Sequence, residues 1–335
     1  MRIVILGAGA LGTILAAHLA ADGHDVSLIA RGRRAKQLQD AGLEVRGLRE
    51  IRTRCHVITD PARAPSADLL ILTAKTYDNE AAVASLAGDR FATVFSVANG
   101  VVKNAELARG FGPERVLGCM ADTSGELLAD GSANFTRNVM LHLGIPGGGV
   151  DRRADAVAAA IHASGINART VANIDTVEWS KFVGWTALLA LSVLTRLRTA
   201  NFLAEPRCAE VAGAMIREMG TIAAAKHIEI VDQSPLPVAS VITGSIEDAR
   251  DVLIGVGRDW LQSAPNHRMS SLQDLERGKR LEVDETLGYA ITEARHLNLA
   301  VPTLTTCYQL VAGINGALGS DAPVTPRDQP SADRA

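Results

Sequence analysis

The chain opens on an apolar run at 2–6, and short apolar runs recur through its first half at 25–30, 68–73, 93–97 and 116–119, with briefer strand signals at 44–47 and 55–57. Near-continuous Val, Ile and Leu, without polar alternation, is the pattern of strands buried on both faces. Helical spacing fills the gaps between runs, and that alternation predicts a parallel, doubly wound sheet. Residues 133–136 and 139–143 read as a closing pair of strands, 146–149 as a turn, 154–163 as a helix beside the sheet and 168–171 as a last strand. Beyond Asp175 the period becomes helical, with apolar stripes at 177–197, 207–227, 246–260, 281–297 and 303–318. The pattern therefore predicts an α/β domain over 1–175 and an all-α domain over 176–318. Residues 319–335, rich in Pro, Ser, Asp and Arg, are expected to be a disordered tail.

Composition narrows the picture. A length of 335 residues suits two domains, because single cores rarely grow past about 250 residues. With 34 basic and 37 acidic residues the net charge is −3, which leaves no electrostatic footprint for nucleic acid or an acidic membrane. Cys55, Cys119, Cys208 and Cys307 are scattered, without metal-ligand spacing or a disulfide framework, so no metal is expected and the thiols read as reduced. The chain starts on strand pattern rather than on a charged leader, and no apolar run reaches membrane-spanning length. The expectation is a soluble, cytoplasmic protein.

The first apolar run leads directly into Gly7-Ala8-Gly9-Ala10-Leu11-Gly12 and an alanine-rich helical stretch. In a strand–turn–helix context this G-x-G-x-x-G is a dinucleotide fingerprint, and with the alternation it predicts a Rossmann domain. Gly7 would allow the tight turn, Gly9 the approach of a pyrophosphate, and Gly12 the close packing of helix on strand. A helix start offers unpaired N–H groups and a favourable dipole to the anion. At the end of the second strand, where an NAD site usually carries an acid for the ribose 2′-hydroxyl, Arg31 stands with Arg33 and Arg34 close behind. Guanidinium forks suit a 2′-phosphate, which makes NADPH the expected cofactor; a solvated helix start is the plainer reading of the same arginines.

Carbonyl reduction needs a hydride donor, a proton donor and a group that positions the substrate. Lys75 and Asn99 each follow a buried strand and so lie at the carboxyl edge of the sheet, although a lone loop lysine is commonly solvated and Asn-Gly is first a turn signal. Lys181 lies in the first turns of an otherwise apolar helix, where dipole and desolvation both oppose a cation. That placement lowers a lysine's pKa and suits it to proton transfer, or else the side chain snorkels to water. Ser270 would cap or open a helix, and Glu282 begins the next one.

Together these motifs resemble the ketopantoate reductase (2-dehydropantoate 2-reductase) family, from Met1 to about Val311. The most specific element is Ser270-Ser271-Leu272-Gln273-Asp274, followed by Glu282-Val283-Asp284. The resemblance implies NADPH-dependent reduction of a 2-oxo acid, ketopantoate, in pantothenate biosynthesis. It places Gly7, Gly9 and Gly12 on the pyrophosphate, Arg31 on the 2′-phosphate, and Lys75 and Asn99 on the cofactor near the cleft. It makes Lys181 the proton donor, Glu282 its partner and Ser270 a substrate-binding serine, and it allows a homodimer. The family's substrate-binding asparagines, four and eight residues after the lysine, are here Trp185 and Leu189, and a later one falls on Thr199. These departures point to a rebuilt pocket and a bulkier or less polar 2-oxo acid or ketone as the alternative substrate. A rival reading, an NADPH-binding module without turnover, would keep the glycines and Arg31 without needing Lys181 and Glu282.

Overall fold

The computed structural model describes residues 1–233 and 235–319. The expected tail lies outside the described residues except for Gly319, which closes the last helix. The first half runs β1 (Arg2–Leu6), α1 (Ala10–Ala21), β2 (Asp25–Ile29), α2 (Gly32–Ala41), β3 (Leu43–Gly47), β4 (Ile51–Thr53), β5 (His56–Ile58), β6 (Ala67–Leu72), α3 (Asn79–Leu86), β7 (Phe91–Ser96), α4 (Lys103–Phe111), β8 (Gly118–Leu127), β9 (Ala133–Gly144), α5 (Arg152–Ala163) and β10 (Ala168–Thr170). One sheet has the order β5-β2-β1-β6-β7 with every pair parallel, the doubly wound arrangement expected from the alternation. Successive residues of β1 feed its two faces: Ile3 and Ile5 enter one core, Val4 and Leu6 the other. Burial on both sides is why these strands read as unbroken apolar runs.

A second, mixed sheet, β10-β9-β3-β4 with β8 on β9, corrects the expectation of a closing strand pair at 133–136 and 139–143. Those segments are one strand, β9, and its antiparallel partner is β8, which continues well past Cys119. The continuation Asp122-Thr123-Ser124-Gly125-Glu126 is polar and interrupted by register shifts, so no apolar period marks it.

The second half is helical: α6 (Ile174–Thr195), α7 (Thr199–Ala204), α8 (Pro206–Ala225), α9 (Val238–Thr243), α10 (Ile246–Ser263), α11 (Ser270–Glu276), α12 (Tyr289–His296) and α13 (Pro302–Gly319). The side chain of Asn173 accepts a hydrogen bond from Thr176 N at 3.2 Å and so starts α6 earlier than its apolar stripe, and the expected division at 175–176 falls inside its first turn. Left-handed Arg196, φ 57°, ends it. By length and composition α6 could cross a membrane, yet 89% of its apolar stretch is buried inside the protein, where it forms the axis of the helical core. The stripe expected over 281–297 is helical only from Asp284, where a five-residue π-helical turn leads into α12.

Candidate active site

The carboxyl edge of the parallel sheet gathers the glycine loop after β1, Arg31 after β2, Lys75 after β6 and Asn99 after β7. Gly7 has φ +111°, and a Cβ there would lie 2.7 Å from Thr73 Oγ1, which itself donates to Gly7 O at 2.7 Å. A Cβ on Gly12 would lie 2.0 Å from Gly7 O, so this glycine is dictated by packing of α1 on the loop. At Gly9, the N-cap of α1, an added Cβ would meet nothing within 4 Å. Gly7 and Gly12 thus build the turn, while Gly9 leaves its outer face open at a helix start, the cradle that a dinucleotide pyrophosphate requires. Ala8 and Leu11 pack their side chains toward the domain core, and Ala10 opens α1.

The arginines divide. Arg31 is the N-cap of α2, exposed at the end of β2. Arg34 points back instead: Nε donates to Ala8 O at 3.0 Å, Nη1 to Gly131 O at 2.8 Å, and Nη2 to Thr13 Oγ1 at 2.8 Å. It clamps the glycine loop from beneath, which removes it from the set of forks expected for a 2′-phosphate. Arg33 is exposed on α2.

Lys181, on α6, reaches a cleft lined also by Asn99, Lys103, Glu178, Phe182 and Trp185. Its Nζ donates to Ala121 O at 2.6 Å and to Asn99 Oδ1 at 3.4 Å. Burial lowers its pKa to about 8; Asp122 opposes the shift, Lys103 adds to it, and Glu282 acts weakly against it.

Glu282 is not the hydrogen-bonding partner of Lys181, contrary to expectation. Its Oε2 accepts from Lys75 Nζ at 3.2 Å, and its Oε1 accepts from Thr76 N and Thr76 Oγ1, both at 3.0 Å. Asp274 joins it, 2.6 Å from Lys75 Nζ. Burial works against the Lys75 ammonium, but the two carboxylates prevail and hold its pKa above the ordinary lysine range. Lys181 therefore meets Glu282 only as a charge through space, and the acid joins helical segment to sheet edge. Strand position put Lys75 at the sheet edge and the resemblance paired Lys181 with Glu282, but which of two lysines an acid takes is decided by tertiary distance.

Ser270 is the exposed first residue of α11 and leaves the N-cap to Met269; the buried serine is Ser271, which meets Ser192 Oγ at 2.9 Å. Trp185, one turn after Lys181, is a cleft wall. Leu189 is fully buried in the helical core. Thr199 is also fully buried, and its Oγ1 lies 2.9 Å from His267 Nδ1, so its hydroxyl is committed to a neighbour rather than to the cleft. Lys103, Glu178 and Asp122 were not marked by any motif; Asp122 is held by both Arg137 Nε and Nη2, and a strand carboxylate of this kind has no spacing signature.

The family profile for ketopantoate reductase PanE/ApbA matches residues 3–148, and that for its C-terminal region matches 173–315. The chain belongs to the ketopantoate reductase family. It is thus an oxidoreductase acting on a 2-oxo acid. The 2-dehydropantoate 2-reductases of Archaeoglobus fulgidus and Pyrococcus horikoshii are each 27% identical, over 95% and 93% of this chain and 99% and 96% of their own. Among solved structures, a PanE/ApbA family ketopantoate reductase from Ralstonia eutropha shares the fold with a TM-score of 0.81 at 24% identity, over 95% of this chain and 99% of its own. A D-mandelate dehydrogenase bound to NADH and anilino(oxo)acetate shares it equally, with a TM-score of 0.81 at 21% identity, over 96% of this chain and 100% of its own. Of the segment 270–274 and Glu282, Asp274 and Glu282 are the residues that meet Lys75.

Proposed function

We propose that this chain reduces a 2-oxo acid to the 2-hydroxy acid with NADPH, with ketopantoate, the precursor of pantoate in pantothenate biosynthesis, as the first substrate to test. The observation that carries the reading is the Lys181 ammonium, its pKa lowered to about 8, held by Ala121 O and by Asn99 of the same sheet edge that carries the glycine cradle. Residues 1–175 would hold the dinucleotide, through Gly7 to Gly12 and Lys75 and Asn99 near the cleft, with Arg31 on the 2′-phosphate; residues 176–318 would complete the substrate site. When bound, the cofactor supplies the hydride to the carbonyl carbon. Lys181 gives its proton to the carbonyl oxygen as negative charge grows there, and Asn99 and Ala121 O fix the ammonium for that transfer. Glu282, through Lys75 and Thr76, holds the helical segment against the sheet edge, and Ser270 stands ready at the start of α11 for the acid's polar end. The enzyme would work in the cytoplasm, as a homodimer like the dimeric ketopantoate reductase of Staphylococcus aureus.

Trp185 favours a second reading of the substrate. An indole stands on the cleft wall where the family carries an amide, and Leu189 offers no polar atom. A site without those hydrogen bonds forfeits discrimination for a hydroxylated acid and gains area for an apolar one. NADPH oxidation should be followed with ketopantoate and with 2-oxo acids bearing branched or aryl side chains. Turnover is expected, with the apolar acids preferred if Trp185 sets the pocket, and Trp185→Asn should move preference toward ketopantoate. Lys181→Met should lower kcat roughly 100-fold or more with NADPH affinity little changed. No turnover of any 2-oxo acid would overturn the proposal.

A further inference from the structure

Behind the cleft wall, Lys103 of α4 and Glu178 of α6 form an ion pair at 2.7 Å with side chains only 2% and 3% exposed. The remaining bonds of the pair reach two stretches of backbone and the Asn104 side chain. Lys103 Nζ donates to Gly100 O at 2.8 Å; Glu178 Oε1 accepts from Cys119 N at 2.9 Å and Oε2 from Asn104 Nδ2 at 2.6 Å. Gly100 directly follows Asn99, and Cys119 lies two residues before Ala121, so the pair grips both segments that supply Lys181 with its hydrogen-bond acceptors. Gly100, at φ +80°, is a residue with wide backbone freedom, and the Lys103 bond to its carbonyl fixes the turn at that point. Stability alone is a poor reason for the pair, since replacing a buried ion pair by matched uncharged groups is often neutral or favourable.

We propose that Lys103 and Glu178 are positioning residues for Lys181: they lock the Asn99 turn and the start of β8 around its ammonium. The inference rests on Lys181 being the proton donor. The charged and titratable groups facing Lys181 are Asp122 and the Cys119 thiol on β8, Lys103 on α4, Glu282 ahead of α12, and Glu178 on its own helix. Asp122, held by Arg137, and Glu282 favour the ammonium; burial and Lys103 disfavour it. Cys119 stays a neutral thiol, its pKa pushed up to about 12 by burial. Glu178 directs its oxygens to Lys103, Asn104 and the Cys119 amide. Lys103 and Glu178 bring one charge of each sign, so losing both together changes the acceptors around the Lys181 ammonium rather than the net charge beside it.

The test is the double variant Lys103→Met/Glu178→Gln, which avoids stranding one buried charge. Lys181 is titrated without substrate, by the pH dependence of its acetylation by acetic anhydride, read by mass spectrometry; kcat is followed against pH alongside. The half-labelling pH of Lys181 should fall by about one unit as the ammonium loses the acceptors that hold it, the alkaline fall in kcat should move with it, and kcat should drop roughly 10- to 100-fold from misplacement. Lys103→Gln/Glu178→Gln is read the same way should the first pair not fold. An unmoved labelling curve in a folded variant overturns the inference whatever kcat does. Absence of turnover in the unaltered protein would defeat the proposed activity and leave the labelling result to decide this point.

Discussion

At the residue scale, two arginines three positions apart have opposite employment. Arg34 gives its guanidinium to Ala8 O, Gly131 O and Thr13 Oγ1, and burial lowers its pKa, so removing it strands acceptors under the glycine loop. Arg31 is exposed at the end of β2, where an added phosphate can recruit it. Arg31→Ala should weaken NADPH by roughly 10- to 100-fold, the scale of a charge-assisted hydrogen bond, with NADH little affected and the urea midpoint unchanged. Arg34→Ala should instead lower the midpoint and weaken both dinucleotides together. Calorimetric titration with each cofactor decides the matter, and equal losses for Arg31→Ala would remove the 2′-phosphate assignment. Residue chemistry was legible in the sequence where position along the strand fixes location, as for Lys75, Asn99 and Arg31. It was not legible where a third dimension chooses among neighbours: Glu282 takes Lys75 rather than Lys181, and Thr199 takes His267.

At the scale of elements, the β1–α1 unit shows why its motif could be read without coordinates. Backbone geometry, not side-chain chemistry, dictates its glycines, and a chain has few other ways to make that turn. The roles nonetheless differ. Gly12→Ala places a Cβ 2.0 Å from Gly7 O, so loop or helix must move, at a cost of roughly 1–3 kcal/mol. Gly9→Ala meets open space and has φ −72°, a conformation alanine adopts freely. It should fold with an unchanged urea midpoint yet lose dinucleotide affinity by roughly tenfold or more, because the methyl would occupy the face proposed for the pyrophosphate. A Gly9→Ala protein that binds NADPH normally would place the pyrophosphate elsewhere. Hydropathy also found α6, whose burial on nearly every side makes it apolar beyond Lys181. It missed the far half of β8, because a strand that carries Asp122, Thr123, Ser124 and Glu126 offers no period to detect, and that half holds the carboxylate nearest in effect to Lys181.

At the scale of the whole molecule, separate apolar cores meet across a polar seam. Lys75 with Asp274 and Glu282, Arg268 and Arg277 with Glu126, and Lys103 with Glu178 all join the sheet half to the helical half. Burial favours the neutral form of several histidines. His142 on β9 is 2% exposed with neither ring nitrogen hydrogen-bonded, and burial foremost, with Arg169 adding to it, lowers its pKa to about 4. Burial also lowers His18 and His267. In the unfolded chain such groups take a proton near pH 6.5. Above that pH neither state is charged and nothing is lost. As pH falls from 6.5 toward 4 the unfolded chain binds a proton that His142 refuses in the folded protein, so stability declines by up to about 1.4 kcal/mol per unit from that residue, and His18 and His267 act in the same direction. Carboxylates whose pKa the fold depresses act only lower, below about pH 4.5. Urea midpoints should therefore drop between pH 7 and pH 5, and His142→Leu, which cannot take the proton in either state, should lessen that drop by about 2 kcal/mol. An equal fall in variant and parent would show that His142 is protonated in the folded protein, with its burial relieved by a partner or by water.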